Sequence, residues 1–99
     1  MRLVYLGTPQ VAVPPLRGIV DAGHDVALVV TRADRRRARG GRPSASPVKA
    51  EALRLGIPVV DDLGRVLDAG AAMGVVVAYG RVVPADVLAR VPMVNLHFS

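Results

Sequence analysis

Two side chains near the end of the sequence, Asn95 and His97, are of the types that acyl transfer to an amine requires. Standing two apart at the end of an apolar segment that reads as a strand, they project to the same side of it. A side-chain amide can hold an oxygen as it becomes an oxyanion, while an imidazole titrating near neutrality can move protons. The same pair also suits a structural role, with the histidine simply hydrogen-bonded beside a buried strand. His24, in the turn Gly23-His24-Asp25, reads as structural. The chain has no cysteine, which excludes disulfides, thiolate catalysis and cysteine-based metal sites together; no metal site is expected.

The elements that must position this pair follow from hydrophobic periodicity. Five short apolar runs, Arg2 to Leu6, Asp25 to Thr31, Ile57 to Val60, Val75 to Ala78 and Val94 to Phe98, read as strands. Helices are expected between them at Val11 to Ala22, Val48 to Leu55, Leu63 to Ala69 and Pro84 to Ala89, the second opened by Ser46 as cap and Pro47 at the first helical position. This alternation predicts an α/β fold, a Rossmann-like parallel sheet with flanking helices, and 99 residues with 52% hydrophobic content suit one domain. Ligands of such sheets bind beyond the carboxyl ends of the strands. The turn there after the first strand, Gly7-Thr8-Pro9-Gln10, lacks the G-x-G-x-x-G fingerprint, and no P-loop pattern occurs elsewhere, so a nicotinamide, flavin or P-loop nucleotide is not expected.

Charge is concentrated in one place. The chain carries a net charge of +5, and the segment from Arg32 to Pro47 holds six arginines against the single acid Asp34, enough to account for all of it. By composition the segment suits a solvated excursion, its part from Arg35 to Arg42 too polar to pack and mobile, and equally a contact with RNA phosphates through charge-assisted hydrogen bonds. No aromatic residue is interleaved with the arginines, so the segment is expected to grip a backbone rather than stack on bases. The apolar runs are far shorter than the roughly 20 residues of a membrane span, and the start lacks the apolar core of a signal peptide. No membrane association is expected, and the expected location is cytoplasmic.

Taken in order, several segments together resemble the methionyl-tRNA formyltransferase family, in the amino-terminal part of its formyltransferase domain. They are Gly7-Thr8-Pro9, Gly23-His24, Thr31 with Asp34-Arg35, Arg39-Gly40, Ser46-Pro47-Val48-Lys49, Gly56-Ile57-Pro58-Val59, Val75 to Gly80 with Pro84, and finally Asn95, His97 and Ser99. The resemblance implies transfer of a formyl group from 10-formyltetrahydrofolate, the cosubstrate, to the methionine amine of initiator methionyl-tRNA. It further implies that Asn95 holds the formyl oxygen, that His97 stabilises the tetrahedral intermediate or shuttles protons, and that Ala78, Tyr79, Gly80 and Ser99 contact folate. Arg39, Arg42 and Lys49 are the implied tRNA contacts, with Arg35, Arg36 and Arg37 adding attraction.

This sequence departs from the family pattern at Arg36-Arg37-Ala38, where proline and glycine are usual, at Ala45 in place of proline, and at Asp61-Asp62, expected to affect a surface connection only. Ser99 falls inside the family's Asn-x-His-x-Ser-Leu-Leu-Pro motif. The 99 residues by themselves are therefore expected to be inactive, without a later catalytic aspartate and the carboxyl-terminal tRNA-binding domain, and to leave an apolar edge strand; the full-length parent is expected to be a monomer. Two other functions fit some of these features: an RNA-binding domain without catalysis, and a formyltransferase for a sugar nucleotide or purine precursor.

Overall fold

A computed structural model describes residues 1–36 and 43–96. Its elements in chain order are β1 (Arg2–Gly7), a 3-10 turn (Gln10–Ala12), α1 (Val13–Asp21), β2 (Asp25–Val30), β3 (Arg35–Arg36), β4 (Pro43–Ser44) and α2 (Pro47–Arg54). They continue with β5 (Val59–Val60), a 3-10 helix (Leu63–Asp68), β6 (Met73–Val77), α3 (Ala85–Arg90) and β7 (Met93–Leu96). Five strands form one sheet in the order β5-β2-β1-β6-β7, and every neighbouring pair is parallel. The expected Rossmann-like α/β sheet is what the chain forms.

Alternation along the central strand explains why both faces are covered. Leu3 and Tyr5 of β1 point to one face, where they meet Val13 and Leu16 of α1 and Val48 and Ala52 of α2. Val4 and Leu6 point to the other, against Leu63, Val66, Val87 and Val91. A strand apolar at every position can fold stably only between two such layers. Among the described residues β7 is the outermost strand on its side of the sheet, with Val94 45% and Leu96 41% exposed.

Three expectations need adjustment. The first helix begins as α only at Val13, after the 3-10 turn, because Pro14 and Pro15 supply no amide hydrogens and are accommodated best in a first turn, where those hydrogens have no partner anyway. The segment after Asp61-Asp62, expected as an α-helix, is a 3-10 helix; the Asp62 carboxylate caps it by accepting the Gly64 amide at 2.8 Å, within a connection that lies at the surface. The arginine-rich excursion, where no strand was expected, carries a two-residue antiparallel ribbon at its base: Arg35 pairs with Ser44 and Arg36 with Pro43.

One ion cluster fastens the two helices of the first layer. Glu51 on α2, only 6% exposed, accepts from Arg17 Nε at 2.8 Å and Nη2 at 3.1 Å, from Arg54 Nε at 3.0 Å, and from Arg54 Nη2. Hydrogen bonds from Arg54 and then Arg17 hold its carboxyl at about 2, against an ordinary value of 4.5. A depressed carboxyl pKa contributes stability that is complete above 4.5 and fades as the pH falls toward 2. Denaturant unfolding should therefore show a steeper loss of stability between these limits for the wild type than for Glu51→Gln. Equal slopes would exclude this role for the cluster.

Candidate functional site

The sheet order fixes where a ligand can enter. From β1 the chain builds outward to β2 and β5, then crosses back to place β6 on the other side of β1 and β7 beyond it. The strand order reverses between β1 and β6, and the carboxyl ends near such a reversal are the general position of ligands in open α/β sheets. Gly7 ends β1 at this point with no room for a side chain: a Cβ there would lie 2.9 Å from the Val77 carbonyl oxygen and 3.0 Å from the Ala12 Cβ. The tight approach of the two strand ends thus depends on glycine.

Beyond β6 the backbone changes direction sharply. Ala78 has φ 50° and Gly80 φ 84°, so Tyr79 is flanked by two left-handed residues, one of them a non-glycine. Such a conformation at an alanine is strained, and strain of this kind is concentrated at ligand-binding turns. The turn forms one wall of a cleft of about 510 Å³, whose lining includes Val11, Ala78, Tyr79, Gly80, Val82 and Asn95. Asn95 reaches it from β7, where it stands in register with Val76 of β6. Its side chain is exposed and its amide can therefore meet a ligand.

A line of hydroxyls ties this cleft to α2. Thr8 Oγ1 donates to the Tyr79 carbonyl at 3.3 Å, Thr31 Oγ1 lies 3.5 Å from Thr8 Oγ1 and 2.7 Å from Ser46 Oγ, and Ser46 Oγ accepts the Lys49 amide at 2.9 Å. Thr31 and Ser46 are fully buried, and their mutual hydrogen bond satisfies groups that would otherwise be costly to desolvate. The ends of β1 and β2, the turn after β6 and the cap of α2 are consequently held as one unit. Burial raises the pKa of the Tyr79 phenol, with Arg81 acting in the opposite direction, so that group stays protonated near neutrality.

The structure brings Asn95, Ala78, Tyr79 and Gly80 to one cleft. His97 and Ser99 lie outside the described residues, as do Arg37, Arg39 and Arg42. Arg35 and Arg36 sit on β3, and the Arg35 carbonyl accepts the Ser44 hydroxyl at 3.3 Å. Lys49 lies in the first turn of α2 and pairs with Asp34 at 2.9 Å, away from the Asn95 cleft. Sequence reasoning missed Val11, Arg81 and Val82 in the cleft wall and Thr8 behind it. Val82 carried no sequence signal of its own, because what marks it, an apolar residue 91% exposed just after the Gly80 turn, is legible only in the fold.

A parallel α/β sheet of this kind is also found in solved transformylase structures. The chain superposes on glycinamide ribonucleotide transformylase 1 of Symbiobacterium toebii with a TM-score of 0.70 at 19% identity, covering 96% of this chain and 50% of that one. The corresponding enzyme of Geobacillus kaustophilus gives 0.68 at 17% identity, over 97% and 57%. These likenesses establish the fold. No family model matches the chain.

Sequence relatives are more specific. The chain is 52% identical to the methionyl-tRNA formyltransferase of Heliobacterium modesticaldum, 43% to that of Solibacter usitatus and 47% to that of Clavibacter sepedonicus, in each case over 100% of its length. It spans about a third of the length of these relatives, 34% of the first and 35% of the other two. By sequence, therefore, the chain corresponds to the amino-terminal part of the methionyl-tRNA formyltransferases.

Proposed function

We propose that the full-length protein transfers the formyl group of 10-formyltetrahydrofolate to the α-amine of methionine carried on initiator tRNA. The observation that carries this is the placement of Asn95 in one cleft with the strained Ala78-Tyr79-Gly80 turn, at the carboxyl ends of β6 and β7. The turn and Ser99 contact folate, and the Asn95 amide donates to the formyl oxygen as the amine attacks. The bond from the formyl carbon to the folate nitrogen breaks, the new bond to the methionine nitrogen forms, and His97 carries a proton from the attacking nitrogen to the departing one. No step needs a metal. Arg35, Arg36, Arg37, Arg39, Arg42 and Lys49 hold the tRNA backbone, and the rest of the full-length chain completes the tRNA site. The enzyme works as a monomer in the cytoplasm; among the described residues no helix is long and apolar enough to cross a membrane.

The test is formyl transfer by the full-length protein with labelled 10-formyltetrahydrofolate, offered methionyl-tRNA, glycinamide ribonucleotide or an amino sugar nucleotide as acceptor. Label should pass to methionyl-tRNA alone. Transfer to either small acceptor with none to tRNA would replace the substrate assignment. RNA binding without folate binding or transfer to any acceptor would reduce the protein to an RNA-binding one.

A further inference from the structure

A second cleft, of about 480 Å³, opens at the carboxyl ends of β2 and β5, on the other side of β1 from the Asn95 crevice. One wall comes from the segment after β2, with Arg32 and Asp34, and from Lys49 in the first turn of α2; the other follows β5 and contributes Asp61, Asp62 and Arg65. Each wall carries both signs of charge. An anion alone would gain little from a lining with three carboxylates, and among the described residues no group of three acids or histidines converges to hold a cation. The lining suits a ligand that is itself divided, anionic at one point and rich in hydroxyl donors at another.

Several of these groups have unused capacity. Among the described residues Arg32 gives only Nη1, to the carbonyls of Ala33 at 3.1 Å and Ser44 at 3.3 Å, which orients the guanidinium with its other N–H groups open to a ligand. Arg65 is exposed and loosely paired, 3.8 Å from Asp68. The Asp61 carboxylate accepts no hydrogen bond among the described residues, although its backbone carbonyl is held by Arg81 at 3.2 Å. Asp34 and Asp62 are committed, to Lys49 and the Gly64 amide.

We propose that this cleft seats one ribonucleotide unit of the RNA substrate, with its phosphate on Arg32 and Arg65 and its 2′-hydroxyl donating to Asp61. The inference rests on the RNA-acceptor reading and extends it to residues outside the arginine-rich loop. The volume is sufficient for one nucleotide. A 2′-hydroxyl is the group that distinguishes RNA from DNA at a given site, and a carboxylate is an acceptor suited to it.

The experiment uses the full-length protein and measures binding of uncharged tRNA across a range of salt, together with binding of AMP and of a short single-stranded RNA and its DNA counterpart. Arg65→Ala should weaken tRNA binding roughly three- to tenfold and reduce the salt slope by about 1. Arg90→Ala serves as the charge control: it lies in the last turn of α3, at the opposite end of the sheet, and should leave the slope unchanged. Asp61→Asn should reduce the preference for the RNA over the DNA oligonucleotide. If the wild type binds tRNA but Arg65→Ala and Asp61→Asn change neither slope nor preference, the cleft assignment fails while the proposed function stands. If both substitutions affect AMP but not tRNA, the site takes a free nucleotide and the assignment to RNA is overturned. If the wild type shows no salt-dependent tRNA binding, the proposed function and the cleft assignment fall together.

Discussion

Replacing Asn95 by alanine in the full-length protein is expected to lower kcat for formyl transfer by roughly 100- to 1000-fold, the usual consequence of removing one preorganised donor to a developing oxyanion. That corresponds to about 3–4 kcal/mol of transition-state stabilisation. The expectation comes from geometry. Asn95 is on a strand, fixed in register against Val76, and its amide faces a cleft formed by a turn whose backbone is already held in an unusual conformation. A rigid donor gains catalytic effect because little reorganisation is needed when charge appears. Steady-state kinetics checks it: kcat should fall while the KM for the folate donor changes little. Asn95→Asp, which keeps the shape but loses the donor, should be similarly poor. A loss under tenfold for both would remove Asn95 from the oxyanion role and leave it as a lining residue.

Gly7→Val should be the most damaging single change to the strand ends. Even a single Cβ at this position meets the Val77 carbonyl oxygen at 2.9 Å, the Ala12 Cβ at 3.0 Å and Tyr5 Cε2 at 3.2 Å, and two of those three belong to backbone or a short fixed side chain. The two additional methyl groups of valine would force β1 and β6 apart. Overpacking of this kind costs about 3 kcal/mol at the upper end of its usual range. The effect should also reach the site, because the Tyr79 carbonyl is tied to Thr8 next to Gly7. Urea unfolding should show a lower midpoint with the slope little changed, and Gly7→Ala should fall between the wild type and Gly7→Val. A wild-type midpoint in both variants would mean that the strand ends are not closely packed.

The hydroxyl line through Thr8, Thr31 and Ser46 shows why some of the site was out of reach of sequence reasoning. Ser46 was recognisable as a helix cap from Ser46-Pro47, and it caps Lys49 as expected. That the same hydroxyl meets Thr31, 15 residues earlier, depends on β2 ending where α2 begins, a long-range placement with no local signature. The cleft between β2 and β5 is a similar case. Asp61-Asp62 read as a surface connection, because nothing in the local pattern shows that it faces Arg32 and Lys49 across a gap.

By itself the sequence determined the strand and helix alternation, the parallel class of the sheet, the lack of cysteine in these 99 residues and the concentration of charge in one segment. These depend on period and composition, which are local properties of the chain. The register of Asn95 with Val76, the left-handed turn at Ala78 and the opposition of Asp61 to Arg32 were decided only in the tertiary structure. Each arises where strands distant in sequence are brought side by side, and strand order, unlike periodicity, is set by the burial of both sheet faces at once.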